Sequence, residues 1–150
     1  MNSFALYRLP HAATCVYLEG RADELLSCAQ LNGQSGFVVA PFEVKGGQPI
    51  VVIRPDRLSV SPDYDALAQR VAGCLGTSAV KGCSRSDYHI DFASFHAQLQ
   101  QGTFRKIVLA RCVDEQRPLD VSPVTLFQRA CARYPRLFIA LVFTPQSGMW

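Results

Sequence analysis

The spacing of hydrophobic and polar positions along this chain changes from a strand-like to a helix-like period near residue 60. Before that point, short runs of apolar β-formers are separated by turn residues. Phe4–Leu9, Thr14–Leu18, Gly36–Pro41 and Pro49–Arg54 read as strands, with turns at Asn32-Gly33 and Gly46-Gly47. Close spacing of such strands predicts antiparallel pairing. Asp23–Gln30 fits a short helix between the second and third strands, although so brief a segment shows little periodicity.

From residue 61 the pattern predicts helices. Ser61 and Pro62 supply an N-cap and a first-turn proline, followed by Tyr64, Leu67, Ala68, Val71 and Leu75 on one face, with Gly76 as a stop. Gly76–Ser86 is polar and rich in Gly and Ser, and reads as an exposed connector. Asp87 then caps a second helix whose Phe92, Phe95, His96 and Leu99 form a core-facing stripe, and Gly102 stands where a C-terminal glycine belongs. Ile107–Ala110 is continuously apolar and predicts a strand buried on both faces, with Lys106 at its mouth. Ser122-Pro123 opens a third helix carrying Val124, Phe127, Cys131 and Tyr134, closed by Pro135. Leu137–Phe143 is an apolar strand, Thr144–Gly148 a turn, and Met149-Trp150 the first step of a returning strand.

The predicted fold class is therefore α+β, an antiparallel sheet backed by helices. A strand as apolar as Leu137–Phe143 would expose an unpaired edge without its hairpin partner, and no linker sequence precedes Trp150. The expectation is that residues 1–150 are the amino-terminal portion of a larger single domain. Within it, a strand-rich opening region spans about 1–60 and a region around Lys106 spans about 86–150.

Composition narrows the functional classes. With 150 residues, 49% hydrophobic and 18% charged, the chain can bury a core as a globular protein. Its net charge of +3 comes from scattered Lys and Arg, so no nucleic-acid surface is indicated and an anionic small molecule fits as well. The six cysteines show no C-x-x-C pair or zinc-type spacing, and read as reduced, buried thiols. The first ten residues lack a signal-peptide pattern and no apolar run reaches the length of a membrane span, which points to the cytoplasm.

Lys106 is the candidate catalytic residue. At the edge of an apolar strand, partial desolvation would favour a neutral amine, as a general base near neutral pH requires. Spacing alone also fits a gatekeeper lysine that ends an apolar strand and reaches back to water. Arg111, on the opposite face by strict alternation, fits a structural ion pair. Cys112 reads as a buried spectator. His89 and His96 are seven apart, whereas a helical zinc pair uses a spacing of about four. His11 reads as a surface residue.

The run Lys106-Ile107-Val108-Leu109-Ala110-Arg111, preceded by the helix from Phe92-Ala93 to Gly102, resembles the catalytic-lysine segment of isochorismate synthases, a branch of the chorismate-utilising enzymes. In that family a helix, an apolar strand, a turn and a Trp-Leu-Gly-Ala-type segment follow; Leu126–Tyr134, Leu137–Phe143 and Pro145–Trp150 match this order. The aminating relatives look different at the position of Lys106. The resemblance implies chorismate as small-molecule substrate, Lys106 as the base for water addition at C2, and loss of the C4 hydroxyl. It implies a glutamate acid and a magnesium ion held by glutamates, all beyond residue 150, and a place in menaquinone or siderophore synthesis. The 150-residue polypeptide alone is then expected to be inactive. Salicylate synthases share the lysine and add pyruvate elimination, and a non-catalytic remnant is the alternative outside enzymes.

Overall fold

The computed structural model describes residues 2–44, 49–72, 85–110, 121–145 and 148–149. Six strands, β1 (Ser3–Arg8), β2 (Val16–Leu25), β3 (Phe37–Val39), β4 (Ile50–Val60), β5 (Ile139–Thr144) and β6 (Gly148–Met149), form one sheet. Its helices are α1 (Tyr64–Ala72), α2 (Arg85–Gln100) and α3 (Pro123–Arg133). The strand order is β3-β4-β2-β1-β5-β6 and every neighbouring pair is antiparallel, so the fold is α+β as the patterning predicts. Two compact units result: residues 1–76 with 119–150, which hold the sheet, and residues 77–118. The segment from α3 onward thus belongs with the opening strands and not with the residues around Lys106.

Alternation along β1 sorts the core into two layers. Phe4 and Leu6 join Tyr17, Leu141 and Phe143 on one face, which Leu67 and Val71 of α1 and Val124 and Phe127 of α3 cover. Ala5, Leu18, Ile53 and Val142 lie on the other. Toward that second face the sheet curls far enough for Phe37 of edge strand β3 to reach Tyr7 of central β1, with ring centroids 5.3 Å apart. Phe138 stacks on Phe37 at 6.4 Å. Ala5, Ala22 and Ala140 are small enough to leave room inside this curl.

Two strands run further than their apolar patterns. β2 continues through Asp23 to Leu25, so the short helix expected over Asp23–Gln30 is reduced to a 3-10 turn at Cys28–Leu31. β4 continues through Arg54, Pro55, Asp56 and Arg57 to Val60. Cross-strand electrostatics favour both extensions: Glu19 faces Arg57 in the register, and Asp23 of β2 pairs with Arg54 of β4. Arg21, on the same strand as Asp23, also reaches it at 2.9 Å. Between Glu19↔Arg57 and Gly20↔Pro55 the register shifts, leaving Asp56 as the extra residue of a β-bulge. Pro55, which has no N–H, sits where the ladder is already broken. Gly20 is required there, because a Cβ would lie 1.7 Å from the Arg54 carbonyl oxygen.

The helices form near their predicted positions, with different caps in two cases. Ser61 has φ +52, and Asp63 caps α1 instead, its Oδ1 accepting from the N–H groups of Asp65 (3.0 Å) and Ala66 (3.1 Å). α2 starts at Arg85, which places Asp87 in the first turn. Gly102, at φ +74, closes α2 as predicted: the Gly102 N–H donates to the Leu99 carbonyl and the Thr103 N–H to that of Gln98, both at 3.1 Å, a Schellman pattern. In α3 the Ser122 hydroxyl accepts from the Thr125 N–H at 3.0 Å and Pro123 opens the first turn. The hairpin predicted after Thr144 is present, with Phe143↔Met149 and Thr144↔Gly148 paired.

Readings of Gly46-Gly47, of Leu75, Gly76 and the connector up to residue 84, of Cys74, Cys83, Arg111 and Cys112, and of Trp150 lie outside the described residues.

Candidate functional site

The sequence places its chemistry on the segment after α2, and the local geometry there follows from the end of that helix. The glycine-closed terminus turns the chain out, and Thr103 to Lys106 are exposed. From Lys106 onward the exposure alternates: Lys106, Val108 and Ala110 are exposed, Ile107 and Leu109 half-buried. This is the predicted two-sided alternation, with Lys106 on the open side.

The expected strand is nevertheless not formed. Ile107–Ala110 has no ladder partner among the described residues, since the six strands pair among themselves. Nor is the segment buried on both faces, for Val108 is 78% exposed. An apolar run states which side chains would pack, but a strand also needs a second backbone to accept its hydrogen bonds. Nothing among the described residues takes the Lys106 ammonium out of water.

The aromatic stripe of α2 corrects a second expectation. Phe92 and Phe95 are exposed, and no described residue of this helix is fully buried. Its rings stack along the helix instead, Tyr88 on Phe92 at 6.4 Å and Phe92 on His96 at 5.7 Å. His89 and His96 are both exposed, and no group of three or more His, Cys, Asp or Glu gathers among the described residues to hold a metal ion. No described residue is assigned to the magnesium ion, whose ligands the resemblance places beyond residue 150. His11 is exposed, as expected. Of the described cysteines, all free thiols, Cys15 is buried, Cys131 half-buried and Cys28 exposed, the last against expectation.

Two polar clusters escape sequence reasoning because their members are far apart in the chain. In the first, Glu19 of β2 accepts from Arg70 of α1 at 2.7 Å and from the Tyr17 hydroxyl at 3.1 Å. The Arg70 hydrogen bond, against the opposing effect of burial, holds the Glu19 carboxyl below its ordinary value. Burial, and then the Glu19 charge, push the Tyr17 phenol up to about 12. Asp23 is also held low, chiefly by its hydrogen bond from Arg54. Glu19 and Asp23 are thus biased toward the ionised form, the opposite of what a general acid needs.

In the second cluster, Arg8, 7% exposed, ends β1 and donates through Nη2 to the carbonyls of Tyr134 (2.7 Å) and Leu137 (3.2 Å), fixing the connection from α3 to β5. Cys15, Tyr64 and Cys131 meet beside it. Only the burial of Cys15 and Cys131 in apolar patterns is visible in the sequence.

Comparison of the chain with protein-family models, with curated proteins and with solved structures finds no match. No helix among the described residues is long and apolar enough to cross a membrane.

Proposed function

We propose that residues 1–150 are the amino-terminal part of a cytoplasmic isochorismate synthase in which Lys106 is the general base. The observation that carries this reading is the Lys106–Arg111 segment in its setting. A helix closed by Gly102 precedes it, and a Ser-Pro-capped helix, an apolar strand and a hairpin follow.

In the proposed reaction, the Lys106 amine takes a proton from water as the water oxygen bonds to C2 of chorismate. The ring double bonds shift, and the C4 oxygen leaves as water with a proton from a general acid. Glu19 and Asp23, held ionised, are not assigned to that role.

Chorismate and magnesium supplied to the protein translated from the full reading frame should yield isochorismate. Lys106→Ala in that protein should lower the rate about 10³-fold with the circular dichroism spectrum unchanged. Near-normal turnover in the variant would return Lys106 to a gatekeeper role, the reading that its exposure favours. Salicylate plus pyruvate as products would assign the salicylate synthase alternative.

A further inference from the structure

The cluster behind Arg8 contains chemistry that the proposed reaction does not use. Cys15 immediately precedes β2, and its carbonyl accepts the Ser61 N–H at 2.8 Å, anchoring that turn. Cys131 lies in the last turn of α3. Although far apart in sequence, the two cysteines share one apolar cluster: Cys15 is a buried member, and Cys131 and Tyr64 of α1 pack against it. Cys15 is 8% exposed and Cys131 half-buried, so a small reagent arriving from solvent meets Cys131 first. The Arg8 guanidinium lies close enough to favour a negative charge on Cys131, and its buried Nε has no hydrogen-bond partner among the described residues.

We propose that Cys15 and Cys131 form a redox-sensitive thiol pair that a hydroperoxide converts into a disulfide, fastening the end of α3 to the start of β2. The Cys131 thiolate attacks the peroxide, the O–O bond breaks, and Cys131 becomes a sulfenic acid with release of water or alcohol. The Cys15 sulfur then displaces the sulfenic oxygen, which leaves as water. Two thiols are oxidised and one peroxide is reduced, with no further reactant.

The groups facing Cys131 are Cys15, Tyr64 and Arg8. Burial outweighs the Arg8 charge and pushes the Cys131 thiol up to about 11, while burial and then the neighbouring Cys15 raise the Tyr64 phenol. The first step therefore accelerates as pH rises from neutrality.

The test is peroxide treatment of the folded protein translated from the full reading frame at pH 7 and pH 9, followed by peptide mapping without reduction. The expected result is a peptide pair joined through Cys15 and Cys131, formed faster at pH 9, with a raised Tm that falls back on reduction. Cys15→Ser and Cys15→Ala should each lose the linked pair and leave Cys131 singly oxidised. Cys131 passing to sulfinic acid in the wild-type chain, cross-links confined to other cysteines, or both thiols staying reduced in folded protein would each overturn the proposal.

Discussion

At the scale of single residues, Gly20 is held by a close backbone approach. Its missing side chain lets the Arg54 carbonyl come within 1.7 Å of where a Cβ would sit, and the obstacle is backbone that cannot rotate away. Gly20→Ala should cost about 3 kcal/mol, the upper range for inserting one carbon into packed structure. Urea denaturation would show it, and an unchanged midpoint would mean that the bulge can relax. Glu19 gives a prediction in pH. Its folded carboxyl is held low by Arg70, so it contributes stability above the ordinary glutamate range, and this is lost as pH falls through the lower folded value. Glu19→Gln should flatten that acid limb in thermal melts taken below the ordinary glutamate range. Tyr17 acts at the other extreme. Its folded phenol is raised to about 12, so stability declines as pH climbs from about 10 toward 12, and Tyr17→Phe should remove that decline.

At the scale of elements, cap chemistry decides how sharply a helix is specified. The Ser122 hydroxyl satisfies the Thr125 N–H, so Ser122→Ala should destabilise the sheet unit by about 1 kcal/mol. A midpoint within error of wild type in chemical denaturation would count against this. The same local signals made α3, the C-terminal end of α2 and the β5–β6 hairpin legible in the sequence, because Ser-Pro, Gly102 and Thr144–Gly148 act on their own neighbours. The full length of β2 and β4 was not legible. Their outer halves carry Arg21, Asp23, Arg54, Asp56 and Arg57, and only the cross-strand register shows that several of these charges answer one another. The reading of Ile107–Ala110 failed for a related reason: the alternation is present, but the strand partner is a property of the rest of the fold. Lys106 was legible as a position on the open side and not as a buried amine. The Cys15, Tyr64 and Cys131 cluster had no local signal, since three separate elements deliver its members. Because α2 has no fully buried residue among those described, its amides should exchange with deuterium well before those of β1.

At the scale of the whole molecule, the sheet unit depends on β1, whose flanks are β2 and β5. Leu6 lies at the centre of that strand with no exposure, against side chains from both α1 and α3. Leu6→Ala should therefore cost about 2–5 kcal/mol and loosen both helices together, which near-ultraviolet circular dichroism would follow in a denaturant titration. Retention of α1 and α3 packing in that variant would show the two helices to be independent of the central strand.

The position of β5 beside β1 also orders events in time. During synthesis the first strand emerges early and pairs with β2, yet its other edge stays without a neighbour until translation has passed residue 144. Until then the nascent protein carries an open β-edge on the strand that bears Phe4 and Leu6. A cell making it must keep that edge from other chains until β5 has been made.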